Sequence, residues 1–378
     1  MSINDDLLDA VRKQDYEKVT KCLIKGADVN YYKDCQTPLC IATNNHDIQM
    51  VNLLLETDRV TAKELKTILQ IAMTLKNKEI SKILIDHMQD FKQGWFDISI
   101  YESFHKLAID NAWPDILKSL LCKGARFKKC EGWDVNPLHY AAKQKDPVYV
   151  QLLGKYIDVD DTKDEEETPL MIAAEAGNDE TMDALLKMGA NLQAKPEPKV
   201  HINFLIPSIL RAGVIKMNLV NIDSVLHKAV SSGNTKTIDV LLKHKPDLDL
   251  NARGSESKTP LMIAAERGDN QMVHHLLKLG VNVNIRRGEG NALHSAVEGD
   301  SIESIKLLLA YGIDQHHQTN NYQTPLSKAI NEHKKYGVPS KEVIDLLTYA
   351  KANPKKVVSQ KPTYFPGRNP KGGRGPRE

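Results

Sequence analysis

The stretch Thr168-Pro169-Leu170-Met171-Ile172-Ala173-Ala174-Glu175-Ala176-Gly177 returns almost letter for letter as Thr259-Pro260-Leu261-Met262-Ile263-Ala264-Ala265-Glu266-Arg267-Gly268. Weaker copies run through nearly the whole chain. With Leu170 as position zero and an Ala three places on as the criterion, anchors fall at Leu7, Leu39, Leu69, Leu138, Leu170, Leu226, Leu261, Leu293 and Leu326, with Phe104 as a degenerate member. Successive anchors lie 30 to 35 residues apart, except for the 56 residues from Leu170 to Leu226. A unit of this length cannot bury its apolar face alone, so neighbouring copies must stack. For a chain of 378 residues this selects an elongated array over two or three independent compact domains.

The physics of one unit is readable. Thr168 supplies an acceptor for a free amide at a helix start, and Pro169 at the first helical position costs no hydrogen bond. Leu170 and the Ala173-Ala174 pair make a short helix whose small residues let a second helix approach closely. Gly177, Gly233 and Gly268 end that first helix. Pairs such as Leu54-Leu55, Leu185-Leu186, Leu276-Leu277 and Leu308-Leu309 mark the inner face of its antiparallel partner, and Gly189 or Gly280 supplies a left-handed exit. Helices this short do not persist alone in water, so stacking must hold them.

These features together resemble the ankyrin repeat: TPLHxAA, a glycine turn, a Leu-Leu helix, then G-A-D-V-N. Gly26-Ala27-Asp28-Val29-Asn30 and Gly280-Val281-Asn282-Val283-Asn284 carry the last motif. The resemblance covers roughly residues 4–352 apart from one insertion, and the units at Leu69 and Phe104 depart from it by lacking Thr-Pro and the glycine turn. It implies an all-α ankyrin-repeat solenoid of about ten helix-turn-helix units with finger loops. It also implies that finger loops and the exposed face of the first helices line one concave, partner-binding side. Those positions hold Tyr31, Tyr32, Trp133, Arg286, Arg287, His316 and Tyr322 in fingers, and Lys143, Gln144, Glu175 and Arg267 at the ends of first helices. Aromatic and Arg side chains are the types that most often dominate interface energetics. Trp133 has an equal claim to packing on the next finger. The two best copies differ at Ala176 against Arg267 and at Asn178 against Asp269, differences expected to face the surface.

Candidate chemistry gives way to frame readings. His105, His139, His227 and His294 recur one place after their anchors, spread along the stack rather than converging on a metal or a reacting group. In the repeats this sequence resembles, such a His bonds within the loop and cap of its own neighbourhood. His274-His275 and His316-His317 are adjacent, not the i,i+4 pair of a helical metal site. No Walker-type, GxSxG, HExxH or strand-linked GxGxxG motif is present. Asp164-Glu165-Glu166-Glu167 reads as a solvated finger loop that, with Asp158, Asp160 and Asp161, offers attraction to a basic partner. Five cysteines without CxxC spacing read as reduced thiols of an intracellular protein. No enzyme, cofactor or metal is expected.

The expected division is an N-terminal array over 1–191, an apolar insertion over 192–222, a C-terminal array over 223–352 and a basic disordered tail over 353–378. The insertion carries Phe204, Leu205, Ile206, Ile209 and Leu210, so it either packs on the array, as a fold-back or an irregular extra repeat, or docks a partner. Of 51 basic and 49 acidic residues, eight basic and one acidic lie from Lys351 onward, so a body of −5 precedes a tail of +7. The functional expectation is a non-enzymatic scaffold or adaptor that binds a protein through the concave side, as a monomer. The alternatives are a nucleic-acid-associated protein using the Pro/Gly/Arg tail, with Tyr364-Phe365 beside it, and an effector with a cryptic activity in the insertion. Absence of a Sec-type leader in Met1 to Ala10 and of any long apolar run points to the cytoplasm. Abundant Lys, Ile and Asn fit an effector of an intracellular bacterium, acting in the host cytosol, as well as they fit a eukaryotic or viral protein.

Overall fold

The computed structural model describes residues 2–88, 99–124, 137–162, 167–193 and 224–353. Among these the chain is all helical: ten helix pairs, one for each anchor, with no strand. Two units are distinguished, residues 1–141 with 146–158 and residues 142–145 with 159–378, and each is built from the same helix pair.

In the first unit the first helices are α1 (Ile3–Arg12), α3 (Pro38–Asn44), α5 (Ala62–Thr74), α7 (Ser99–Asp110) and α9 (Pro137–Ala142). Their antiparallel partners are α2 (Tyr16–Ile24), α4 (Ile48–Leu55), α6 (Lys78–His87), α8 (Pro114–Cys122) and α10 (Val148–Leu153). First helices α1, α3, α5 and α7 stack in succession, as do second helices α4, α6, α8 and α10. Leu7, Leu39, Leu69, Phe104 and Leu138 are all buried between these layers. Ser2 and Asp5 close a capping box on α1, and Arg12, Lys13, Lys18 and Lys21 face solvent.

The second unit runs through α11 (Pro169–Glu175), α12 (Asp179–Lys187), α13 (Val225–Ser231), α14 (Thr235–His244), α15 (Pro260–Glu266), α16 (Asn270–Lys278), α17 (Ala292–Glu298), α18 (Ile302–Ala310), α19 (Pro325–Tyr336) and α20 (Lys341–Ala352). Its odd-numbered helices form one layer and its even-numbered helices the other, each packed on the next of its kind. Leu170, Leu226, Leu261 and Leu293 are buried, and Leu326 is half-buried. The Thr-Pro starts act as their chemistry dictates. Thr168 and Thr259 accept hydrogen bonds from the amides of Met171 and Met262 at 3.2 and 3.4 Å, and Pro occupies the first turn in both.

The wide interval after Leu170 has a definite meaning. α11 packs directly on α13, and α12 on α14. Asn234 donates to the Gly177 carbonyl at 2.7 Å, and Lys243 reaches Asp183 at 2.8 Å. The repeats on either side of the extra residues are therefore stacked neighbours. The chain leaves the first after α12 and re-enters at Ser224, the cap of α13.

The degenerate repeats fold like the regular ones. Seven places after the anchor, Gly177, Gly233 and Gly268 have φ of +70°, +77° and +66°. Gln14, His46, Lys76 and Asp300 stand at the same place with φ of 54°, 56°, 56° and 49°, and Ala112 does so one residue later at 56°. The left-handed turn is a property of the helix pair; glycine only makes it cheap.

Candidate partner-binding face

Most polar residues that recur are consumed by the frame. Asn4, Asn30, Asp160, Asn251 and Asn284 accept from the backbone N–H groups of Asp28, Thr61, Asn191, Asn282 and Asp314 at 2.8–2.9 Å, tying successive repeats together. His294 is buried, pairs through Nδ1 with Asn291 at 2.8 Å and through Nε2 with the carbonyl of Gln323 at 3.0 Å. His227 makes the same kind of bridge, to Ser224 and to the Ala252 carbonyl at 2.7 and 3.1 Å. Each histidine thus staples its own cap to the following finger, reaching further than its own neighbourhood. Burial, against the pull of the Gln323 carbonyl, pushes His294 down to about 4, so it stays neutral. Among the described residues no three His, Cys, Asp or Glu side chains gather as a metal site would, and Cys22, Cys35, Cys40 and Cys122 are free thiols.

Asn178 corrects the surface expectation made for it. It is 5% exposed, and its amide donates to the carbonyls of Ala142, Lys143 and Gln144 at 3.2, 2.8 and 3.1 Å. It satisfies the open carbonyl end of a first helix. Ala176 and Arg267, the other differing pair, are exposed.

The finger and helix-end residues divide into three groups. Tyr32 and Tyr322 are 66% and 82% exposed, and Tyr322 holds a φ of 57° at a turn position where a bulky side chain costs about 1–2 kcal/mol. Lys143, Glu175, Arg267 and His316 are also exposed, and Gln144 is half-buried. The second group is braced. Tyr31 lies half-buried with its hydroxyl 3.4 Å from Asp5, and Arg286 is paired with Asp314 at 3.0 Å. Arg287 is held under its own finger, its side chain 7% exposed and bonded to Glu289 and to the Glu256 carbonyl. Trp133 forms the third group with the Phe204–Leu210 segment and the tail beyond Asn353: these lie outside the described residues.

A further set of residues, missed in the sequence, organises this face in the second unit. Lys228 on α13 reaches Glu167 and Glu175 at 2.7 and 2.8 Å, and Lys258 reaches Glu256 and Glu266 at 2.7 and 2.8 Å. Lys328 on α19 bonds to Glu298 on α17, with Glu332 3.8 Å away. Burial alone would lower the Lys228 and Lys258 ammonium groups; their two carboxylates outweigh it and raise them, so both remain charged. The signal was available: Lys228 and Lys328 stand two places after their anchors, and Glu175 and Glu298 five places after theirs.

Comparison with known proteins follows the same lines. The family profile described as ankyrin repeats (3 copies) matches residues 7–94, 105–196, 202–287 and 261–357. The chain belongs to the ankyrin repeat family. Among curated relatives, an ankyrin repeat and KH domain-containing protein, mask-1, of Caenorhabditis elegans is 26% identical over 243 residues, covering 62% of this chain and 8% of its own. Human Rabankyrin-5 is 28% identical over 168 residues, 43% of this chain and 12% of its own. The likeness is therefore to a small part of much longer proteins. The crystal structure of the human ASB11 ankyrin repeat domain matches with a TM-score of 0.51 at 22% identity, covering 65% of this chain and 96% of that one. At that identity the match speaks for the ankyrin fold alone. Ankyrin repeats imply protein partners; among the described residues no helix is long and apolar enough to cross a membrane.

Proposed function

We propose that this ankyrin chain is a non-enzymatic interaction scaffold or adaptor that holds a protein partner on its fingers and first-helix ends, the side expected to be concave. The observation that carries this reading is the division of labour among polar and aromatic side chains. Buried His, Asn and Thr groups are spent on caps and finger ties, whereas Tyr32 and Tyr322 stand in solvent at the tips of fingers. Tyr322 supports it most strongly, because a bulky residue in a left-handed turn weakens the fold without gaining a packing contact there. Lys143, Glu175 and Arg267 of the second unit are exposed at first-helix ends and add charged groups. Phe204, Leu205, Ile206, Ile209 and Leu210 of the insertion offer apolar chemistry for the same partner.

Affinity capture with the intact chain and with a Tyr32→Ala, Tyr322→Ala, Arg267→Ala variant tests the proposal. The variant is expected to lose its partners while its unfolding transition is unchanged. Retention of every partner would show that the surface has been chosen wrongly.

A further inference from the structure

The second helices of the first unit are not evenly packed. α4 lies on α6, α6 on α8 and α8 on α10, whereas α2 approaches α4 less closely and leaves a groove of about 470 Å³ between the two. The lining is mostly apolar, with Tyr16 and Thr20 on the α2 wall and Leu53 on the α4 wall, and Glu17 and Glu56 bring carboxylates to it. The Tyr16 hydroxyl donates to Asp47 at 2.9 Å, which fixes the ring in its wall. One helical turn beyond Thr20 on the same face comes Ile24, 80% exposed and the most exposed of the large aliphatic side chains among the described residues. A lone exposed isoleucine is ordinary; one that continues the row of an open apolar groove is an unfilled contact. Lys21 and Lys25 flank Ile24 in solvent. Lys25 and Glu56 form no ion pair among the described residues, and Glu17 meets Lys21 only at 3.7 Å with both side chains largely in solvent, a pair of little strength. Glu56 stands at the C-cap of α4, where the helix dipole disfavours a carboxylate, so the helix it ends gains nothing from its charge.

From a projection and a recess side by side on one surface we infer that the α2–α4 face docks a second copy of the chain in a two-fold dimer, in place of the monomer expected from the sequence. A two-fold interface uses the same patch on both copies, so that patch must carry both halves of each contact. This one does. Ile24 of each copy fills the groove of the other against Tyr16, Thr20 and Leu53, and the Lys21 and Lys25 ammonium groups beside it meet Glu17 and Glu56. A different partner needs only the recess or only the projection. Both together, with opposite charges beside them, single out the chain itself. The patch belongs to second helices, not to the fingers and first-helix ends, so the dimer does not depend on the binding role proposed above and leaves that side open. Its area is small, which places the contact among weak, reversible associations rather than obligate dimers. Pairing presents two partner-binding sides at once and raises avidity for a partner with repeated sites.

Sedimentation equilibrium of the full chain, from micromolar to millimolar concentration, reads the association directly. The mean mass should rise from one chain towards two. Ile24→Asp should weaken the association by about tenfold or more, because it puts a carboxylate beside Glu17 and Glu56 of the other copy. Its unfolding transition should not change, since the side chain replaced is exposed. Lys21→Glu with Lys25→Glu, and Glu17→Lys with Glu56→Lys, should each abolish self-association alone, and an equimolar mixture of the two chains should restore a dimer. The Tyr32, Tyr322 and Arg267 alanine variant should associate like the parent within about twofold, because its changes lie outside the patch. A single-chain mass at every concentration overturns the inference. So does association that Ile24→Asp leaves unchanged, or charge-reversed chains that fail to recombine. If the chain stays single while Ile24→Asp loses captured proteins, the groove belongs to a different protein and the second-copy assignment falls.

Discussion

The repeat anchored at Leu69 and the repeat anchored at Leu170 reach one structure by different means. Around Leu170, Thr168 and Pro169 open a seven-residue helix and Gly177 turns it at φ +70°. Around Leu69, Thr61 caps a helix of 13 residues without Pro, and Lys76 takes the turn at φ 56°. Both anchors are fully buried. What they share is a buried leucine, a threonine cap and a left-handed residue seven places on; the familiar letters are the least strained way of meeting those demands.

Truncating either anchor should have the largest effect. Leu69→Ala and Leu170→Ala are each expected to cost about 3 kcal/mol, measured by denaturant unfolding. A Leu69→Ala loss smaller by about 2 kcal/mol or more would mean that the degenerate repeat is not packed like the regular one. Acid separates repeats that have the stapling histidine from these two, which carry Gln70 and Met171 instead. An unfolded histidine takes a proton near pH 6.5, whereas buried His294 resists until about 4. The unfolded state thus binds more protons between those values, and stability present above pH 6.5 declines as pH falls towards 4, by about 3 kcal/mol in full. His294→Gln should flatten that slope in unfolding measured across the interval.

The turns sharpen the comparison at smaller scale. Lys76→Gly should stabilise by about 1 kcal/mol and Gly177→Ala destabilise by about 1–2 kcal/mol, since alanine there meets both a positive φ and the Ser232 and Asn234 side chains at 3.4 Å. If Lys76→Gly destabilises, its turn is not the counterpart of Gly177. Smallest of all is the effect expected from shortening residues 196–218 to a finger-length Gly-Ser link. α11 and α13 already pack on each other, so cooperativity and midpoint should hold. A broadened transition would make the segment part of the frame.

The anchors were legible because leucine at helical spacing reports burial directly, with Phe104 taking a leucine's place and Leu326 only half-buried. The ten helix pairs and the excursion at the 56-residue interval followed from counting. Residues whose roles depend on a neighbouring repeat were not legible. Asn178 reads as a variable surface letter because Asp269 stands in the other copy; its burial comes from carbonyls some 34 to 36 residues earlier. Arg287 looked like a fingertip contact, yet its guanidinium bonds to the Glu256 carbonyl 31 residues earlier. The Lys228 clamp was hidden for the same reason, since Lys228 meets Glu167 across 61 residues of sequence, whereas Lys258 finds Glu256 and Glu266 close by in the chain. Pairing across repeats decides whether a charged side chain is bound or free, and a single unit carries no record of it.

The central claim is that frame and binding face are separate sets of residues. It is tested most directly by measuring partner capture and unfolding free energy side by side in two variants, Asn178→Ala and the Tyr32, Tyr322, Arg267 alanine triple. Asn178→Ala should lower stability by about 1–3 kcal/mol, because the Ala142 and Lys143 carbonyls lose their side-chain donor while Gln144 keeps Thr181, and retain its partners below its melting temperature. The triple variant should keep its stability and lose its partners. Capture lost in Asn178→Ala and retained in the triple variant would contradict the account.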